Sequence, residues 1–301
     1  MLQYIIVMLF AVMSGVAYAD VPIDAENFPD PELCSQIQED DKDCDGILTD
    51  KEVAVIKYVS VSSSKTLKGI EYLTNLRGLT CYGCHNLTEL DLSRNKFLSS
   101  LYCNETKMRE LDLTNNEMLT QLNCGGITEG GLVYGLESLK LSEDKRLTKL
   151  YVGHANLEEL DLSSCISLEE LTLDNAPKLE HIELRNCTKL TSLHIWGTTT
   201  LRELNVSSNV LLQDLICNAP KLTQLDLDNN VNLQMLQAHP SSINAGYQVM
   251  SAITRPKTWN HEEVQAVVLS VNLGDYVKNL GTIVFHPTLE DQTRLPWQKA
   301  V

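Results

Sequence analysis

The sequence predicts an α/β solenoid of short parallel strands, closed by a helical cap at its amino-terminal end and by a small second cap at its carboxy-terminal end. Three observations predict it. A pattern LxxLxLxxN returns along the middle of the chain, a second LxxLxL pattern alternates with it, and one acidic loop, "DKDCDGILTDKE" at 41–52, stands just before the first repeat. With 301 residues, 43% apolar and 21% charged, the chain can bury one large core or two smaller ones.

The repeats come first in the argument. One set reads "LTELDLSRN" from Leu87, "MRELDLTNN" from Met108, "LEELDLSSC" from Leu157, "LEHIELRNC" from Leu179, "LRELNVSSN" from Leu201 and "LTQLDLDNN" from Leu222. Between them lie "LRGLTCYGC" from Leu76, "LSSLYCNET" from Leu98, "LTQLNCGGI" from Leu119, "LTKLYVGHA" from Leu147, "LEELTLDNA" from Leu168, "LTSLHIWGT" from Leu190 and "LQDLICNAP" from Leu212. In LxxLxL the fourth and sixth residues lie two apart, so on an extended strand both point inward and the fifth points to solvent. Stacking such coils merges their leucines into one core. The one irregular step, Leu119 to Leu136, predicts that "GGITEGGLVYG" bulges from a rim.

These half repeats resemble the leucine-rich repeat family, in the bacterial form where a repeat of 21 or 22 residues nests two LxxLxL halves. The resemblance covers Leu76 to Gln237. It implies a solenoid over residues 67–239 and a ladder in which Asn or Cys at the ninth position hydrogen-bonds the turn backbone. Asn95, Asn116, Asn209 and Asn230 stand there, as do Cys165 and Cys187.

The nine cysteines follow the repeat rather than a redox or metal rule. Cys81, Cys103, Cys124 and Cys217 take the inward slot filled elsewhere by Val152, Leu173 and Ile195, where they act as small apolar residues. "CYGC" at 81–84 has no second pair at zinc spacing. Cys34 and Cys44, outside the repeats, are left as the one candidate disulfide.

Outward positions differ between the two sets. The Asn-bearing set shows an acidic stripe: Glu89, Asp91, Glu110, Asp112, Glu159, Asp161, Glu183, Glu203 and Asp226. It is either a solvated face or a docking surface for a basic protein. The other set shows Tyr82, Tyr102, Tyr151, His194, Trp196 and His239, with His154 beside them. Such residues either fill exposed strand positions by β propensity or form a recognition surface, since Tyr and Trp offer large contact area at low entropy cost.

In the acidic loop Asp41, Asp43, Asp45, Gly46, Ile47, Thr49 and Glu52 occupy positions one, three, five, six, seven, nine and twelve of D-x-D-x-D-G-x5-E. Alternate residues of a tight loop converge their oxygens on a hard cation, Gly46 permits the turn, the Ile47 carbonyl contributes, and Glu52 closes the site. The loop resembles a calcium-binding EF-hand, and residues 20–66 resemble the cap attached to bacterial repeat proteins of this kind. Short helices are expected on both sides, with Leu33, Ile37, Val53 and Ile56 facing one another. EF-hand sensors generally come in pairs and no second loop is present, so the expected role of Ca2+ is structural.

The two ends are read separately. Residues 1–19 are apolar, lack charge and finish in Ala17-Tyr18-Ala19, which predicts a secretory signal peptide cleaved before Asp20. The absence of Lys or Arg near its start leaves an uncleaved anchor as the alternative, but the run is short for a spanning helix and no second one is long enough. The expected location is secreted, periplasmic or cell-surface, without a membrane anchor. Residues 240–301 lose the leucine period and predict a carboxy-terminal cap, with "GTIVFHP" as a strand and Trp259 and Trp297 in cap packing.

The net charge of −16 argues against nucleic acid or an anionic membrane and favours cationic partners and divalent metal. No H-E-x-x-H, G-x-S-x-G, phosphate loop or G-x-G-x-x-G appears, so an enzyme is not expected. The expectation is an exported, non-enzymatic protein-binding solenoid with a structural calcium site. The alternatives are a carbohydrate-binding module using the same aromatics and a passive scaffold.

Overall fold

Residues 20–143, 146–222, 224–238, 252–254 and 284–286 are described in a computed structural model. The expected signal peptide at 1–19 and most of the expected cap at 240–301 lie outside these residues, as do His239, Trp259 and Trp297.

Val21–Pro22 forms strand β1, and helix α1 follows at Pro31–Asp40. Asp30 starts that helix by accepting from the backbone N–H groups of Glu32 and Leu33, while Pro31 takes the first position, where no N–H is needed. The acidic loop then leads into Ile47–Leu48 (β2), which pairs antiparallel with β1, and into α2 at Asp50–Val53. The expected second helix is thus a single turn, not the partner of a helix pair. Thr49 and Glu52 form the capping box that starts it, but Val53, Val55 and Ile56 are β-branched and lead into strand, so nothing sustains it. Leu33, Ile37, Val53 and Ile56 are nevertheless all buried in the common core, with Phe28 and Val59.

The first coils give β3 (Tyr58–Ser60), β4 (Gly78–Thr80) and β5 (Ser100–Cys103). Then come β6 (Glu110–Leu113), β7 (Gln121–Gly125), β8 (Ile127–Glu129), β9 (Leu132–Tyr134) and β10 (Ser138–Leu141). Further on are β11 (Lys149–Gly153), β12 (Glu159–Asp161), β13 (Glu170–Asp174), β14 (His181–Glu183) and β15 (Ser192–Trp196). The last are β16 (Asp214–Cys217), β17 (Gln224–Leu225), β18 (Met235–Ala238), β19 (Ala252–Thr254) and β20 (Val284–His286). β20 falls within "GTIVFHP", as expected.

Nine of these form one parallel sheet in the order β3-β4-β5-β7-β11-β13-β15-β16-β18. Its register aligns the fourth-position leucines Leu79, Leu101, Leu122, Leu150, Leu171, Leu193 and Leu215, all buried. Fully burying each such side chain stabilises by about 1.5–3 kcal/mol. The sixth-position row runs Cys103, Cys124, Val152, Leu173, Ile195 and Cys217, so the cysteines do fill the inward slot.

The Asn-bearing side is less regular than expected. Among the described residues it holds the pairs β6–β10 and β12–β14 and the three-stranded β17-β19-β20, and residues 87–95 and 201–209 carry no strand. One hydrogen bond recurs along this side, both where a strand forms and where none does. The fifth-position side chain accepts the N–H of the seventh residue, from Asp91 and Ser93 at 2.9 Å through Asp112 and Thr114, Asp161 and Ser163, and Asn205 and Ser207 to Asp226 and Asp228 at 2.9 Å. Each bond folds the chain into a turn and cuts the extended stretch short.

Behind those turns the ninth-position ladder is present. Asn116 donates to the carbonyls of Leu92 and Asn95, both at 3.0 Å, and Asn95, Asn209 and Asn230 repeat the pattern on their preceding coils. Cys187 substitutes its thiol, donating to Leu162 O at 3.3 Å.

Helix α1 seals the first strand. Ser60 of β3 donates its N–H to Gln36 Oε1 at 3.1 Å, and the Ser60 carbonyl accepts from Gln36 Nε2 at 3.4 Å. Glu32 accepts the N–H groups of Ser62 and Ser63, each at 2.9 Å. Burial works against charge on Glu32, but the bonds from Ser63 and Ser62 outweigh it and hold the carboxyl below its usual range.

Cys34 and Cys44 do not pair, and none of the nine cysteines is in a disulfide. Cys44 sits in the acidic loop at φ 57, where its exposed thiol turns back toward Asp41 O at 3.7 Å, while Cys34 lies half-buried on α1. Burial pushes the Cys84 thiol up to about 11 and those of Cys124, Cys187 and Cys217 up to about 12. Since the thiolate is the reactive form, iodoacetamide on the folded protein should label Cys44 first and Cys34 slowly. The other seven should react only after unfolding, as mass spectrometry of timed samples will read. Early labelling of Cys81 or Cys103 would contradict the sealed core.

Candidate functional site

Two groups of residues compete for a functional role, and the acidic loop is the first. Asp41 accepts the N–H groups of Asp45 at 3.3 Å and Gly46 at 2.8 Å, and Asp45 accepts the N–H of Ile47 at 2.8 Å. Gly46 has φ 77, the left-handed region where L side chains are strained. This local wiring gathers carboxylate oxygens of Asp41, Asp43 and Asp45 within 4.8 Å of one another. The charge of Asp45 pushes the Asp43 carboxyl above its usual value.

Glu52 and Thr49 lie outside that group of three. Glu52 accepts from Thr49 N at 2.9 Å, Thr49 Oγ1 at 2.8 Å and Lys42 N at 3.0 Å, bonds that lower its carboxyl and tie both ends of the loop together. Ile47 belongs to β2, held against β1.

The outer face of the nine-stranded sheet is the second group. Tyr102, Tyr151 and His194 share the fifth-position row on β5, β11 and β15, every second strand of this stretch, with Asn123 and Thr172 between them. Each tyrosine ties its hydroxyl to a neighbouring strand: Tyr102 donates to Gln121 Oε1 at 2.6 Å and Tyr151 to Asp174 Oδ2 at 3.3 Å. Tyr82 similarly donates to Glu105 Oε1 at 2.7 Å, which raises its phenol. Burial, with the Asp174 charge behind it, pushes Tyr151 up to about 12, so its phenol is a neutral donor at physiological pH. His194 stacks on Trp196 with ring centres 6.0 Å apart and planes 9° from parallel. Tyr82 is 48% exposed, Tyr102 36% and Trp196 41%, enough to offer ring faces to a partner.

His154 leaves this face. It takes the eighth position at φ 46, in a column of left-handed turn residues with Gly83, Glu105, Asn175 and Gly197. Its Nδ1 lies 2.9 Å from both Thr128 Oγ1 and Asn175 Nδ2. Thr128 belongs to the insertion, which is a β-hairpin of β8 and β9 turning through Gly130 and Gly131, both left-handed. The hairpin docks on the rim, where Asn156 donates to Val133 O at 2.9 Å and Lys107 bonds Glu129 at 3.0 Å. A Cβ at Gly126 would overlap the Tyr134 carbonyl oxygen, so the hairpin base needs glycine.

Sequence reasoning missed Tyr58, at 73% the most exposed aromatic among the described residues. It precedes the first LxxL, yet the alternation in "KYVSV" places Val59 and Val61 inside and Tyr58 out, in line with Gly78. It also passed over Asp174, register neighbour of Trp196. On the opposite side, the fifth-position carboxylates are engaged in their own turns, and Asp112 and Glu183 further pair with Lys140 at 3.7 Å and Arg185 at 3.1 Å.

The leucine-rich repeat family matches residues 83–100. Among solved structures, an internalin C2 from Listeria monocytogenes is 18% identical over 76% of this chain and 94% of its own, with a TM-score of 0.41. An internalin, inlF, from the same organism is 18% identical over 76% and 95%, with a TM-score of 0.28. A leucine-rich repeat protein of Leptospira interrogans is 15% identical over 72% and 77%, at 0.25. No curated protein matches the sequence. No helix among the described residues is long and apolar enough to cross a membrane. The fold rests on the chain's own register: in-line buried leucines, one nine-stranded parallel sheet and an asparagine ladder make it a parallel β-solenoid with a leucine-spaced repeat.

Proposed function

We propose that the chain is an exported, non-enzymatic recognition protein that holds a protein ligand against the outer face of its nine-stranded sheet. The carrying observation is the aromatic row: Tyr102, Tyr151 and His194 on alternate strands, flanked by Tyr58, Tyr82 and Trp196, on a backbone fixed by its register. Rigid aromatics of this kind are what protein interfaces use as anchors. The acidic side is a weaker candidate, because its carboxylates already serve its turns.

Calcium enters as a fastener. Asp41, Asp43 and Asp45 would meet Ca2+ with their carboxylates, which would relieve the repulsion between Asp43 and Asp45, with Glu52, Thr49 and the Ile47 carbonyl completing the oxygen set. The loop joins α1, which covers β3, to the first coil, so the ion's place in this reading is to keep the cap closed.

The test uses the full secreted chain as bait in extracts of host or neighbouring cells. Replacing Tyr102, Tyr151 and Trp196 together by Ala should abolish capture of the protein it retains while the melting temperature stays unchanged. Undiminished capture by that variant would remove the sheet face from consideration. A glycan array on the same pair of proteins separates sugar binding from protein binding.

A further inference from the structure

Asp174 closes strand β13 with its side chain on the outer face of the sheet, between two aromatic residues. On one side Tyr151 donates its hydroxyl to Asp174 Oδ2 at 3.3 Å, leaving Oδ1 to accept from elsewhere. The Tyr151 ring reaches that bond by lying over Gly153, the register neighbour of Asp174; a Cβ at Gly153 would come within 2.7 Å of Tyr151 Cε1 and Oη. On the other side stands Trp196, exposed and braced by His194 stacked against it. Among the described residues no lysine or arginine lies within ion-pair distance of Asp174, whereas Glu170 on the same strand is held by Lys149 at 2.7 Å.

A half-buried carboxylate that accepts from a phenol hydroxyl on one side and has an exposed indole as register neighbour on the other repels anions and attracts a flat cation. We infer that Asp174, Tyr151 and Trp196 form an anchor for the guanidinium of an arginine side chain on a basic partner, an inference that rests on the sheet face being the binding surface. Arginine fits better than lysine. Its planar group lies against aromatic rings while its N–H groups reach a carboxylate edge, and it gives up water more readily than an ammonium. The charge of −16 adds a long-range field that raises the local concentration of such a partner.

The probe is a fluorescent Gly/Ser peptide carrying one arginine, and the same peptide with citrulline, which keeps the shape and removes the charge. Both are titrated into the full chain by anisotropy. The arginine peptide should bind saturably, the citrulline peptide about tenfold more weakly or less, and Asp174→Asn should bring the arginine peptide down to the citrulline level. Asp112→Asn, an equal charge change on the other side of the solenoid, should leave binding unchanged. The anchor is wrong if Asp174→Asn binds the arginine peptide like the wild type, if citrulline binds equally well, or if Asp112→Asn loses as much. If the anchor fails in this way while the triple aromatic variant still loses protein capture, the sheet face stands without it. If the triple variant captures normally, the surface itself is wrong.

Discussion

Asn116→Ala should lower the unfolding free energy by about 1–3 kcal/mol, read as a shift of the urea midpoint at unchanged slope. The substitution strips donors from two carbonyls, Leu92 O and Asn95 O, at a site fully closed to water. Each carbonyl keeps one backbone donor, Asn95 N–H on Leu92 O and Leu98 N–H on Asn95 O, both at 3.0 Å, so two buried bonds of about 0.5–1.5 kcal/mol each are lost. The control is Asn186→Ala, which removes a similar bond, 2.7 Å to Ser163 O, at an exposed site. Water replaces that donor, so the loss should stay within about 0.5 kcal/mol. Equal effects at the two positions would mean that the ladder contributes nothing beyond ordinary surface bonds. Because each coil touches only its neighbours, a lowered slope for Asn116→Ala would report separation of the solenoid into two unfolding blocks.

Removing calcium should have the second large effect. If the loop holds the ion in the native state alone, calcium at one hundred times its dissociation constant adds about 2.7 kcal/mol, which a chelator takes away. The melting temperature should fall on addition of EGTA, return with excess Ca2+ and lose its response to either in Asp41→Ala with Glu52→Ala. Hydrogen exchange localises the effect: Ser60, Ser62 and Ser63 amides, now held by Gln36 and Glu32, should exchange faster without the ion, while amides of β13 and β15 should not. A chelator that altered ligand capture and left melting unchanged would make the loop a regulatory site and refute the fastener reading.

The inward half of this fold was legible because a leucine at the fourth position of a strand leaves its partner two residues on with one direction to point. That logic correctly assigned Cys103, Cys124 and Cys217 to the core despite their chemistry. The outward half was legible only in part. The same rule put Tyr102 and His194 on the surface, but it treats every residue as extended, and His154 and Asn175 have left-handed backbones that carry them onto the rim. The acidic stripe is mostly exposed, as expected, but the repeat pattern did not show that Asp91, Asp112 and Asp161 also accept the N–H of the residue two places on and so shape the next turn. At the cap, Thr49 and Glu52 signalled where α2 starts, and the β-branched residues after it held the information on where it stops. The site anchored on Asp174 was invisible along the chain, because Tyr151 and Trp196 lie more than twenty residues away on either side and meet it only through the register of three strands.

The alternate-strand placement of Tyr102, Tyr151 and His194 makes the face a ruler. Its gradation is two strand spacings, about 9.6 Å, because the inner leucines of β5, β11 and β15 are stacked and cannot slide. Substitution within a coil can alter which group stands at a mark, but only the gain or loss of whole coils can move the marks. Chain length and side-chain chemistry are therefore separate dials on this surface, one setting the spacing of its outward groups and the other their identity.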